Sequence, residues 1–76
     1  MAAEEVLQIY YKKSHQSQPE MALALDVSQT TIHNWISGKH KIPMEFYDRI
    51  VKLCGVELVD ILPNEWKVLL YKKDNH

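Results

Sequence analysis

The run from Gln18 to Gly38, Q-P-E-M-A-L-A-L-D-V-S-Q-T-T-I-H-N-W-I-S-G, constrains this chain more than any other stretch. Met21, Ala22 and Leu25 recur at helical intervals, and so do Ile32, Trp35 and Ile36. Asp26, Val27 and Ser28 stand between the two periodic runs. Ser28 is a good N-cap residue, because its hydroxyl can accept from a free N–H of the first helical turn. Gly38 falls where a left-handed C-terminal cap belongs. The spacing predicts two short helices joined by a tight turn.

Winding the second helix at about 100° per residue puts Ile32, Trp35 and Ile36 on one side. Thr30, His33, Asn34 and Ser37 fall on the other, with Thr31 on its flank and Gln29 at the N-terminal tip. This outer face carries amides, hydroxyls and an imidazole, and no carboxylate. A helix of this size fits the major groove of DNA, where such groups pair with base edges.

These residues resemble the helix-turn-helix of phage repressors such as lambda repressor and Cro, and of the YdaS-type antitoxin family that shares the fold. Gln18, Ala22, Leu25, Val27, Ser28-Gln29, Ile32 and Trp35 carry the resemblance. Gly38-Lys39-His40-Lys41-Ile42-Pro43 is similar to the G-K-x-x-[VI]-P connection of the YdaS group. The similarity spans roughly residues 6 to 66. The turn position that usually holds Gly is Asp26 here, a residue that tolerates a left-handed backbone. Leu62-Pro63-Asn64-Glu65-Trp66 is similar to the family's L-x-P-x-x-[WY] ending, one residue short.

At 76 residues the chain has room for one domain, and with 46% hydrophobic residues it can build a core of helices packed on helices. The single Cys54 rules out an internal disulfide, and neither a leader pattern nor a run of about 20 apolar residues is present, so a cytoplasmic protein without membrane association is expected. Net charge is −1, short of the basic balance usual for a DNA-binding domain. The distribution compensates: Val27 to Met44 contains no Asp or Glu but has Lys39, Lys41, His33 and His40. A dipolar surface can orient a protein on DNA at near-zero net charge.

Elsewhere the pattern predicts a first helix over 4–14, with Glu4 and Glu5 at its start and Lys12 and Lys13 at its end, as the helix dipole favours. The second helix is capped by Ser17 or Gln18 and carries Pro19 in its first turn. Small Ala22 and Ala24 allow the recognition helix to approach. Pro43 is expected to start a fourth helix running to Cys54 and stopping at Gly55, with Phe46, Tyr47, Ile50, Leu53 and Cys54 as its core stripe. Glu45 with Arg49 and Asp48 with Lys52 are candidate i,i+4 ion pairs. A short fifth helix is read over 57–62. Residues 67–76 form a tail, a candidate dimerisation element whose pattern fits helix and strand equally. The fold class is therefore all-α: four to five short helices with a lambda-repressor-like helix-turn-helix over 1–66.

Gln29 is the leading base reader, since its side-chain amide matches adenine N6 and N7 and the resemblance gives the same role. Asn34 suits adenine or a phosphate. His33 suits guanine or a phosphate and would make binding pH-sensitive, though a solvated imidazole is the plain alternative. Thr30 and Thr31 suit a thymine methyl or a phosphate. Gln18, by resemblance, bonds a phosphate, which fixes register without reading sequence. Ser28, Ser37, Lys39 and Lys41 complete the candidate DNA-binding set. Trp35 as a stacking platform for single-stranded bases is outweighed by its apolar spacing. No catalytic order, phosphate loop or metal-ligand spacing is present, so neither an enzyme nor a cofactor is expected.

The resulting expectation is a homodimeric, Cro-like repressor that binds a pseudo-palindromic double-stranded DNA operator. Two alternatives remain open: an antitoxin-type regulator with a toxin partner, and an adaptor on the same fold that binds protein instead of DNA.

Overall fold

The computed structural model describes residues 1–67. The expectations about the tail over 67–76, helix or strand and its part in dimerisation, fall outside the described residues except for Lys67. The described residues form α1 (Ala3–Ser14), α2 (Gln18–Leu25), α3 (Gln29–Ile36), a 3-10 turn (Met44–Phe46), α4 (Tyr47–Cys54) and α5 (Leu58–Ile61), with no strand among them. Residues 64–67 are helical again.

Local chemistry sets most of the boundaries. Ser17 settles the start of α2: its hydroxyl accepts from the Glu20 N–H at 3.2 Å, and Glu20 Oε1 accepts from the Ser17 N–H at 3.2 Å. This reciprocal box satisfies two otherwise free donors. The α2 exit is a Schellman turn in which Asp26 donates to Leu23 O at 3.2 Å and Val27 to Ala22 O at 3.0 Å. Asp26 is left-handed there, at φ 57° and ψ 50°, as its tolerance for that region allows. His15 closes α1 in the same conformation at φ 61°, which nothing in the local sequence announced. Gly38 has φ 80°, one residue beyond the right-handed Ser37 that caps α3, and Gly55 ends α4 at φ 71°.

The core lies where α1, α2, α3 and α4 meet. Leu7, Met21, Leu25, Ile32 and Ile50 are fully buried, each contributing about 1.5–3 kcal/mol relative to exposure. Ala3, Val6, Ala22, Trp35, Ile42 and Ile61 complete it. Ala22 is buried where α2 meets α3, whereas Ala24 is exposed and takes no part in that approach.

Three expectations for the fourth helix need correction. Pro43 does not start it. Its ψ of 144° is extended, its carbonyl accepts from Phe46 N in a 3-10 bond of 3.0 Å, and α-geometry begins only at Tyr47. Among the described residues no side chain caps either the 3-10 turn or α4, so no local bond there holds an earlier α-helical start. Arg49 does not reach Glu45. Its guanidinium lies 5.0 Å from the Phe46 ring centroid and donates to Leu25 O at 3.0 Å, while Asp48 and Lys52 do pair, at 3.0 Å. Of the expected core stripe only Ile50 is fully buried; Phe46, Tyr47, Leu53 and Cys54 are half-buried at its margin. Burial lifts the Cys54 thiol to about 11.

Candidate nucleic-acid interface

The site is built on α3. Trp35 is 3% exposed and meets Phe46 edge-on at 5.1 Å, and Ile32 is fully enclosed, so the apolar side of the helix is anchored in the core. Ile36 is only half-buried. That anchoring fixes which side chains point outward. Gln29, Thr30, His33 and Ser37 are exposed, and Asn34 and Thr31 are half-buried at the flanks. Trp35 is therefore not available as a base-stacking platform.

The hydrogen bonds divide the outer set. Ser28 Oγ accepts from the Thr31 N–H at 3.1 Å, and the Ser28 and Thr31 hydroxyls share a further bond of 2.8 Å. Both hydroxyls are thus engaged in starting the helix, and each must also serve the cap if it is to meet a ligand. Ser37 Oγ donates to Asn34 O at 3.3 Å, and the His40 N–H reaches the same carbonyl at 3.1 Å. The side chains of Gln29, Thr30, His33 and Asn34 have no hydrogen-bond partner among the described residues, so their polar groups are free for a ligand. Gln18 sits half-buried at the first position of α2, also without a side-chain partner among these residues. Glu20, two residues further along α2, is exposed, but its carboxylate turns back to the Ser17 N–H and hydroxyl, and that spacing does not bring it beside Gln18.

The basic segment follows directly. Lys39, His40 and Lys41 are all exposed, and the chain re-enters the core at Ile42. The α3 outer face and this loop form one uncharged-to-basic surface. The sequence reading missed the side chains that hold it from outside. Gln8 Nε2 donates to Ile36 O at 3.0 Å, Glu4 Oε2 accepts from the Ile42 N–H at 2.6 Å, and Arg49 holds the end of α2. Only Gln8 left a trace in the sequence, as the one polar residue within the apolar run from Val6 to Tyr11.

Two short helices joined by a capped left-handed turn, the second anchored by an indole and presenting a polar face, define a helix-turn-helix domain. Residues 13–69 match the family model described as bacterial toxin YdaS, which spans most of the chain, and the protein belongs to that family. The family is described as a toxin, whereas the resemblance in the sequence points to an antitoxin-type regulator. No curated protein and no solved structure gives a match. No helix among the described residues is long and apolar enough to cross a membrane.

Proposed function

We propose that this protein is a sequence-specific, double-stranded DNA-binding transcriptional regulator, a Cro-like repressor acting as a cytoplasmic homodimer without catalysis of its own. In this reading α3 of each subunit enters the major groove, at half-sites about one helical turn (~34 Å) apart on a pseudo-palindrome. Gln29, Thr30, His33 and Asn34 meet base edges. Gln18, Ser28, Thr31, Ser37, Lys39 and Lys41 meet the backbone. Occupancy of the operator blocks polymerase. The observation that carries the reading is the orientation of α3: Trp35 is enclosed, Gln29, Thr30 and His33 are exposed with half-buried Asn34 at their flank, and none of the four side chains has a hydrogen-bond partner among the described residues.

The family description favours a second reading, in which the protein works as one member of a toxin–antitoxin pair and the regulator role is joined to, or replaced by, contact with a protein partner. The near-neutral net charge is compatible with an adaptor of that kind. Selection from a random duplex pool, followed by a salt titration of the selected site, separates them. A regulator enriches one site and loses affinity steeply with salt, by a slope of about −0.9 for each phosphate neutralised. Absence of both enrichment and salt dependence contradicts the regulator reading and favours protein docking.

A further inference from the structure

Glu4 and Gln8 stand four residues apart on α1 and therefore share one face of that helix. Their bonds bracket the basic loop. Gln8 holds the Ile36 carbonyl at the end of α3, and Glu4 holds the Ile42 N–H where the chain returns to the core. Between these points residues 37–41 are all exposed; the Ser37 and Gly38 N–H groups close the end of α3 on His33 O and Trp35 O, the Ser37 hydroxyl and the His40 N–H donate to Asn34 O, and Lys39 and Lys41 have no hydrogen bond among the described residues. Both anchors bind backbone atoms, so they fix where the loop runs whatever its side chains are. The Glu4 bond joins a carboxylate to an amide over 2.6 Å, the short charge-assisted kind that is stronger than a neutral one. Both residues precede the span matched by the family model, which begins at residue 13.

The geometry points to Glu4 and Gln8 as positioning residues for DNA contact: α1 is a strut that holds the 37–41 loop so that Lys39 and Lys41 meet phosphates together. This rests on the regulator reading and deepens it. It also assigns an acidic residue a role opposite to its charge. A carboxylate close to a phosphate-binding loop repels DNA, so by charge alone its removal strengthens binding. As an anchor, its removal weakens binding.

The test measures affinity of wild-type, Glu4→Ala and Glu4→Gln proteins for the selected duplex and an unrelated one across a salt series. Thermal melting and exchange of the Ile42 amide are followed without DNA. Glu4→Ala is expected to weaken binding to both duplexes alike, about ten-fold, and to reduce the salt slope by up to about two units as both lysines lose their phosphates. Its Ile42 amide exchanges faster while the core amides stay protected. Glu4→Gln keeps an acceptor oxygen and recovers most of the affinity. Gln8→Leu, which removes the other anchor, weakens both duplexes in the same way. Unchanged or tighter binding by Glu4→Ala, or an equal loss in Glu4→Gln and Glu4→Ala, overturns the positioning role while leaving the regulator reading standing. Failure of the wild-type protein to bind any duplex overturns the regulator reading, and this role falls with it.

Discussion

Gln29 shows what one residue contributes to this account. It is the first residue of α3, exposed, with an amide that can pair with adenine through two parallel bonds. Gln29→Ala is expected to cost about 1–3 kcal/mol at the selected site and to relax preference at a single base position, read by repeating the selection with the variant. Preference kept intact at every position would remove Gln29 from the reading set. Cys54 gives a pH prediction of a different kind. Burial raises its thiol to about 11 from the ordinary 9.0, so the folded protein holds the protonated form more strongly than the unfolded chain does. Its contribution to stability is complete below about pH 9 and declines as pH rises through about 11. Alkylation at pH 8 should accordingly be much slower in the native protein than in urea, and equal rates would contradict the burial. At this scale the sequence exposed side chains whose role depends on their near neighbours: Ser28 as a cap, Asp26 as a left-handed residue, Trp35 as an anchor. Glu4 and Arg49 escaped because each bonds a backbone atom far along the chain, 38 and 24 residues away, and no local pattern encodes such a bond.

The elements were readable where a cap and a periodic stripe agreed. The range of α3 follows from the Ser28 hydroxyl at one end and the end of the Ile32-Trp35-Ile36 stripe at the other. The start of α4 did not follow, because Pro43 is favourable at the first helical position yet equally at home in extended backbone before a 3-10 turn. Packing decided between them: Phe46 lies edge-on to Trp35, and Arg49 reaches the end of α2. The contact between α2 and α3 depends on the small side chain at Ala22, which is 3% exposed. Ala22→Leu is expected to destabilise the fold by about 1–3 kcal/mol, as larger groups forced into a filled crossing do. In a domain of this size each kcal/mol corresponds to a fall in Tm of about 4–8 °C. The same change at exposed Ala24 should leave Tm nearly unchanged, and an equal fall at both positions would contradict the assigned faces.

For the whole molecule, the separation of charge matters more than its sum. A net charge of −1 is spread so that the stretch from Val27 to Met44 carries exposed Lys39 and Lys41 and no carboxylate, with every carboxylate side chain elsewhere. Lys39→Ala should weaken binding to all duplexes alike and lower the salt slope by about one unit, leaving base preference intact. An unchanged slope would place Lys39 in solvent. The most direct measurement of the central claim is a two-dimensional amide NMR titration of the protein with its selected duplex. The account predicts that the largest shifts fall on residues 29–34 and 37–41, the Gln29 and Asn34 side-chain amides among them. Shifts centred instead on α1 and α5, or none at any duplex concentration, would contradict it.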